Sequence, residues 1–155
     1  MKYEYRINRD YYAKWLPQLQ NDSGLGHQFF LSKLKLVRAM HAQGVRFLAG
    51  TDTPSYPGTI AGFALHDELQ LFVRAGFAPR EALETATLNP AIFFGREGDL
   101  GTVEVGKSAD LLLLDANPLD DIRNTRKVAG VVLQGRYLSR GDLDGLLRQA
   151  EAAAK

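Results

Sequence analysis

Three observations predict an α/β chain, rich in helix and carrying one small sheet. Apolar residues recur at helical spacing in several stretches. An apolar strand, Val45 to Ala49, follows one of these helices after a very short link. Past Asp99 the period shortens to that of brief strands separated by turn residues. A chain of 155 residues is long enough for one buried core, and 45% hydrophobic against 24% charged residues is the balance of a folded globular protein. With 19 basic and 18 acidic residues the formal net charge is +1, which supplies no field for nucleic acid or acidic lipid. The opening Met-Lys-Tyr-Glu-Tyr-Arg holds no apolar core of a signal peptide, so the sequence predicts a soluble, cytoplasmic protein with neither a nucleic-acid nor a membrane partner. Without cysteine, thiolate chemistry, disulfides and cysteine-held metals are excluded.

Residues 1 to 8 alternate loosely and stay unassigned. From Asp10 to Gln20, the residues Tyr11, Tyr12, Trp15, Leu16 and Leu19 mark an amphipathic helix that Pro17 kinks or divides. Phe29 to Ala42 is a helix with Phe29, Phe30, Leu34 and Val37 on one face, ended by Gly44. Val45 to Ala49 has the composition of a strand buried on both sides, which requires parallel neighbours and covering helices. Ala64 to Ala75 is a further helix stopped by Gly76. The next starts at Pro79, where Ala78 lacks the oxygen of a good cap, and Asn89-Pro90 caps a short one ending at Gly95. Beyond Asp99, brief strands are expected at Thr102 to Val105 and Asp110 to Leu114, one helical turn at Leu119 to Ile122, and a hairpin from Val128 to Leu138. Asp142 to Ala153 closes the chain as a helix. This order divides it into an α/β segment at 1–98, a small sheet segment at 99–139 and a C-terminal helix at 140–155.

The chemistry concentrates in Gly44 to Gly58. Gly50, Pro54, Pro57 and Gly58 end the strand, so Asp52 sits just beyond a rigid element on an exposed loop, a usual place for a reacting carboxylate. The same residue can instead brace its own turn. Tyr56 is the loop's one candidate binding side chain, as a stacking or hydrogen-bonding contact, or else it simply packs within the loop. His66 reaches back toward Asp52 if the loop folds over, or else hydrogen-bonds structurally to the loop backbone. His27 and His41 open and close one helix and read as surface or helix-end residues.

The motifs Gly44-Val-Arg-Phe-Leu-Ala-Gly-Thr-Asp-Thr-Pro, His66-Asp-Glu-Leu, Val73-Arg-Ala-Gly-Phe-Ala-Pro-Arg-Glu-Ala-Leu, Ala86-Thr-Leu-Asn-Pro-Ala, Leu100-Gly-Thr-Val-Glu-Val-Gly-Lys-Ser-Ala-Asp-Leu and Leu114-Asp-Ala-Asn-Pro-Leu-Asp-Asp-Ile then fall in a familiar order. From about Leu36 to Leu138 the chain resembles the C-terminal part of the metal-dependent amidohydrolase superfamily, close to its imidazolonepropionase-like and prolidase-like members. The resemblance implies that Val45 to Ala49 is the last strand of a (β/α)8 barrel and that the helices between Gly62 and Gly95 are the final barrel helix and its extension. The C-terminal strands then form part of a small β-sandwich. It also implies that Asp52 binds zinc or another divalent metal, exchanging a proton with the attacking water, in a hydrolase of non-peptide or dipeptide carbon–nitrogen bonds. Tyr56 and His66 are its candidate substrate contacts.

The family's His-x-His pair and later histidines have no counterpart among His27, His41 and His66. Zinc needs about three protein ligands, so the chain alone is expected to be inactive. It requires the missing N-terminal barrel portion or a second copy joined through the edge of strand 45–49. The other readings are a non-catalytic, self-associating fold fragment, and a metal shared by Asp52 and His66 within or between subunits.

Overall fold

The computed structural model describes residues 24–53 and 59–154. Residues 1 to 8, the expected helix from Asp10 to Gln20 and Tyr56 lie outside them.

Helix α1 (Leu25–Ala42) begins a turn earlier than the aromatic residues suggest, with Gly24 before it. It turns Leu34 and Val37 inward and leaves Phe29 and Leu36 63% and 60% exposed. The segment from Val45 to Gly50 is extended, but among the described residues it joins no sheet. The parallel strand expected there is thus an extended segment whose packing comes from helices.

Helix α2 (Ala64–Ala75) buries Ala64, Leu69, Phe72 and Ala75, the stripe its helical spacing demands. It stops at Gly76, whose φ of 110° suits only glycine. The Gly76 amide donates to the Val73 carbonyl (3.0 Å) and the Phe77 amide to that of Phe72 (3.1 Å), the paired bonds of a Schellman end. The Arg38 Nε of α1 adds a bond to the Ala75 carbonyl at 2.9 Å, placing a cation at the negative end of α2. Helix α3 (Pro79–Thr85) has proline at its first position, and Glu81 accepts from the Ala78 amide at 2.7 Å. Ala78 has no oxygen to return the bond, so the capping box is half built.

Helix α4 (Leu88–Phe93) follows after two residues. Asn89 does not cap it, as expected, but lies inside it, because its amide is engaged by the chain at Phe47. Nor does Thr102 to Val105 form a strand. Glu104 instead accepts from the Thr102 hydroxyl at 2.7 Å and pairs with Lys107 at 3.6 Å, folding the segment on itself.

The sheet is antiparallel, in the order β1 (Leu111–Leu114), β2 (Val128–Leu133), β3 (Arg136–Ser139), with an irregularity between Leu113 and Leu114. Its hairpin runs through Gln134 and Gly135, both at positive φ. The helical turn expected at Leu119 to Ile122 lies further on, as a 3₁₀ turn over Ile122–Arg126. Its cap explains the shift, since the Asp121 carboxylate accepts the Arg123 amide at 2.9 Å. Helix α5 (Arg140–Ala153) starts at a complete box, with Ser139 and Asp142 exchanging bonds. The Ser139 hydroxyl and amide, both donating to Asp142, hold that carboxyl below its usual range.

The core joins these parts. Leu69, Phe72, Ala75, Phe77, Ala82 and Ile122 form one buried cluster, with Leu34, Val37, Phe47 and Ala49 packed against it. Phe47, Phe72 and Phe77 meet at ring separations of 5.0–5.9 Å in tilted or edge contacts. His41 is the helix-end residue expected, in the last turn of α1, and it is packed rather than free at the surface, stacking on Phe77 at 3.7 Å and approaching Glu81 at 3.3 Å. Ile122 belongs to the segment that precedes β2, so the 3₁₀ turn fastens the sheet to α2. Among the described residues no helix is long and apolar enough to cross a membrane.

Two substitutions test this account. Ala78→Ser completes the capping box of α3 and is expected to stabilise the chain by about 1 kcal/mol in urea unfolding. Gly101→Ala places a methyl 2.9 Å from the Ala91 Cβ and 3.0 Å from the Leu88 Cα at a φ of 91°, and is expected to cost about 1–3 kcal/mol in the same measurement.

Candidate functional site

Extended backbone outside a sheet must find hydrogen-bond partners elsewhere. Between Phe47 and Gly50 these partners come from three helices. The Phe47 carbonyl accepts from Asn89 Nδ2 of α4 at 3.0 Å, the Ala49 amide donates to the Thr85 carbonyl of α3 at 2.9 Å, and the Gly50 amide donates to Glu68 Oε1 of α2 at 3.0 Å. Phe47 and Ala49 pack against the core, while Val45 and Leu48 are 42% and 38% exposed.

Asp52 follows this anchored stretch with a φ of 51°, in the left-handed region that aspartate tolerates better than most residues. Its side chain is exposed. Among the described residues, the bond that braces the turn joins the Thr51 and Thr53 hydroxyls at 2.8 Å, and the Asp52 carboxylate has no partner there.

His66 does not meet Asp52. Its Nδ1 lies 3.0 Å from Thr125 Oγ1, across the joint between α2 and the 3₁₀ turn. The Thr125 hydroxyl spends its own proton on the Ile122 carbonyl at 2.8 Å, so it must accept from the ring, and neutral His66 carries its proton on Nδ1. The expected structural histidine is thus present, with a side-chain hydroxyl in place of loop backbone as its partner. Burial and then the nearby Arg126 guanidinium push the imidazole below its ordinary value, with Asp67 opposing. Asp67 and Arg126 themselves form an ion pair beside it.

Sequence reasoning missed Glu68 and Asn89 as supports of the Asp52 corner, taking the second for a cap. A signal for Glu68 was present. It stands four residues from both Ala64 and Phe72, on the apolar stripe of α2, where a carboxylate requires a reason. An apolar hollow of about 1440 Å³ lies elsewhere, between α4 and β1, with Leu88, Phe94, Val103 and Leu112 in its walls.

Among the described residues, no three His, Cys, Asp or Glu side chains stand close enough to hold a metal ion. The described donors by themselves therefore do not fit a complete zinc centre.

Residues 32–138 match the sequence profile of the Amidohydrolase family, and the chain belongs to that family. It is 37% identical over 115 residues to ochratoxinase of Aspergillus niger, covering 71% of this chain and 22% of that protein. Over 123 residues it is 38% identical to an N-substituted formamide deformylase of Arthrobacter pascens, covering 75% and 21%. Among solved structures, a Xaa-Pro dipeptidase with methionine bound in its active site superposes with a TM-score of 0.61 at 28% identity, over 68% of this chain and 25% of the other. The chain thus spans about a fifth of the length of these curated relatives.

A pH series checks the His66 assignment. Because the folded value lies below 6.5, the unfolded chain binds the extra proton first as pH falls. Stability is therefore expected to decline below about pH 6.5 and to level off below the folded value. Urea midpoints between pH 7.5 and 5 should show this decline, and His66→Gln should flatten it.

Proposed function

We propose that this chain serves as the C-terminal portion of a metal-dependent hydrolase of carbon–nitrogen bonds in non-peptide amides or dipeptides, and that Asp52 is its contribution to the reaction. The observation that carries this reading is the geometry of the corner. An exposed carboxylate follows an extended segment held to three helices, within a stretch that matches the Amidohydrolase family. Relatives named as a formamide deformylase and a Xaa-Pro dipeptidase support the bond class.

In this reading the remaining metal ligands, for zinc or another divalent ion, come from outside the described residues. Asp52 takes the proton of the attacking water and returns it to the leaving nitrogen. The exposed faces of α1 and of Val45 and Leu48 then lie against the barrel portion that supplies those ligands. His66 enters as a tether between α2 and the 3₁₀ turn.

The same exposed residues favour a second reading, a non-catalytic fragment that associates with copies of itself. Light scattering at micromolar concentration separates the two. A monomer excludes self-association, whereas a stable oligomer without hydrolytic activity supports it.

The catalytic reading is tested by purifying the chain together with a polypeptide that supplies the other barrel strands, with zinc present. Hydrolysis of N-substituted formamides or Xaa-Pro dipeptides is expected, and Asp52→Asn should lower kcat/KM by at least ~10²-fold. An inactive assembly, or a variant as fast as the parent, overturns it.

A further inference from the structure

We infer that Glu68 is a positioning residue: it holds the Gly50 amide, and thereby sets the backbone from which Asp52 projects. Its relevance to catalysis rests on the reading of Asp52 given above, whereas the positioning itself does not.

Glu68 lies on the apolar stripe of α2 between Ala64 and Phe72, both buried. Its Oε1 accepts from the Gly50 amide at 3.0 Å. Its Oε2 is screened from solvent and, among the described residues, has no hydrogen-bond partner. An unsatisfied buried carboxylate oxygen works against stability, and an apolar side chain of similar length would avoid that cost. Packing on the apolar stripe therefore does not account for the residue. Local consistency is commonly broken where a functional geometry is being held.

What Glu68 holds is a particular point of the chain. The other two anchors, Asn89 to the Phe47 carbonyl and the Ala49 amide to Thr85, lie upstream and fix a stretch that the core already grips through Phe47 and Ala49. Gly50 is exposed and carries no side chain to pack. It stands two residues before Asp52, whose positive φ makes the direction of its carboxylate depend on the backbone that enters the turn. Among the three anchors, the Glu68 bond is the nearest to Asp52. A carboxylate suits the task because a charged acceptor makes a stronger bond to an amide than a neutral one.

The experiment measures amide hydrogen exchange at Gly50 together with Tm, in the parent chain and in Glu68→Met and Glu68→Gln. Methionine keeps the length and helix propensity but removes the acceptor. Gly50 exchange is expected to accelerate roughly tenfold or more, with amides of α2 unchanged and Tm at or above that of the parent. Glutamine keeps an oxygen at the Oε1 position and is expected to retain protection within a few-fold.

Unchanged Gly50 exchange in Glu68→Met overturns the inference. So does a Met variant that unfolds, or loses Tm with exchange rising throughout α2, since Glu68 would then be a stability residue. Asp52→Asn should leave Gly50 exchange as in the parent. Failure of the hydrolase reading is thus seen in the activity of the Asp52 variant, and failure of this one in the exchange of the Glu68 variants.

Discussion

The constraint on which the rest depends is that, among the described residues, the backbone between Phe47 and Gly50 must be hydrogen-bonded without a neighbouring strand. A sheet would satisfy it with a ladder. Here a side-chain amide, a main-chain carbonyl and a carboxylate, each from a different helix, accept or donate at successive points. The positions of α2, α3 and α4 are thereby tied to one line of chain. The short links that join the helices, Gly76 to Ala78 and Ala86 to Thr87, leave little freedom to depart from it.

Packing reinforces the same arrangement. Phe47 enters the aromatic group formed with Phe72 and Phe77, so the segment that leads to Asp52 shares its core with the end of α2. The Schellman end at Gly76 is what turns Phe77 back into that group, and Arg38 closes the corner from α1. On the opposite side, Ile122 fills the core while His66 and Thr125 bond across the joint. The small sheet is consequently an extension of the helical body, fastened by one 3₁₀ turn.

Helical spacing and end signals made α2, α3 and α5 legible, and the glycine between Leu133 and Arg136 made the hairpin legible. These depend on neighbours in sequence. Val45 to Ala49 was read as a strand because its composition is that of one, yet being a strand is a relation to another segment, which composition does not contain. Thr102 to Val105 failed for a related reason, since the pull of Glu104 on Thr102 and Lys107 is a side-chain effect that a period of two does not register. At the candidate site, Asp52 was visible because turn residues isolate it. Its supports were hidden because Glu68 and Asn89 each sit where a helix-end role is plausible, and their partners are 18 and 42 residues away.

The left-handed backbone at Asp52 also limits what evolution or design can place there. Glutamate carries the same charge and could be thought to need only an adjustment of reach. A left-handed residue, however, costs most side chains about 1–2 kcal/mol, and aspartate is among those that adopt it more readily. The choice between the two carboxylates is thus made by the main chain before geometry at any ligand is considered. At this corner the backbone itself favours the shorter of the two acids.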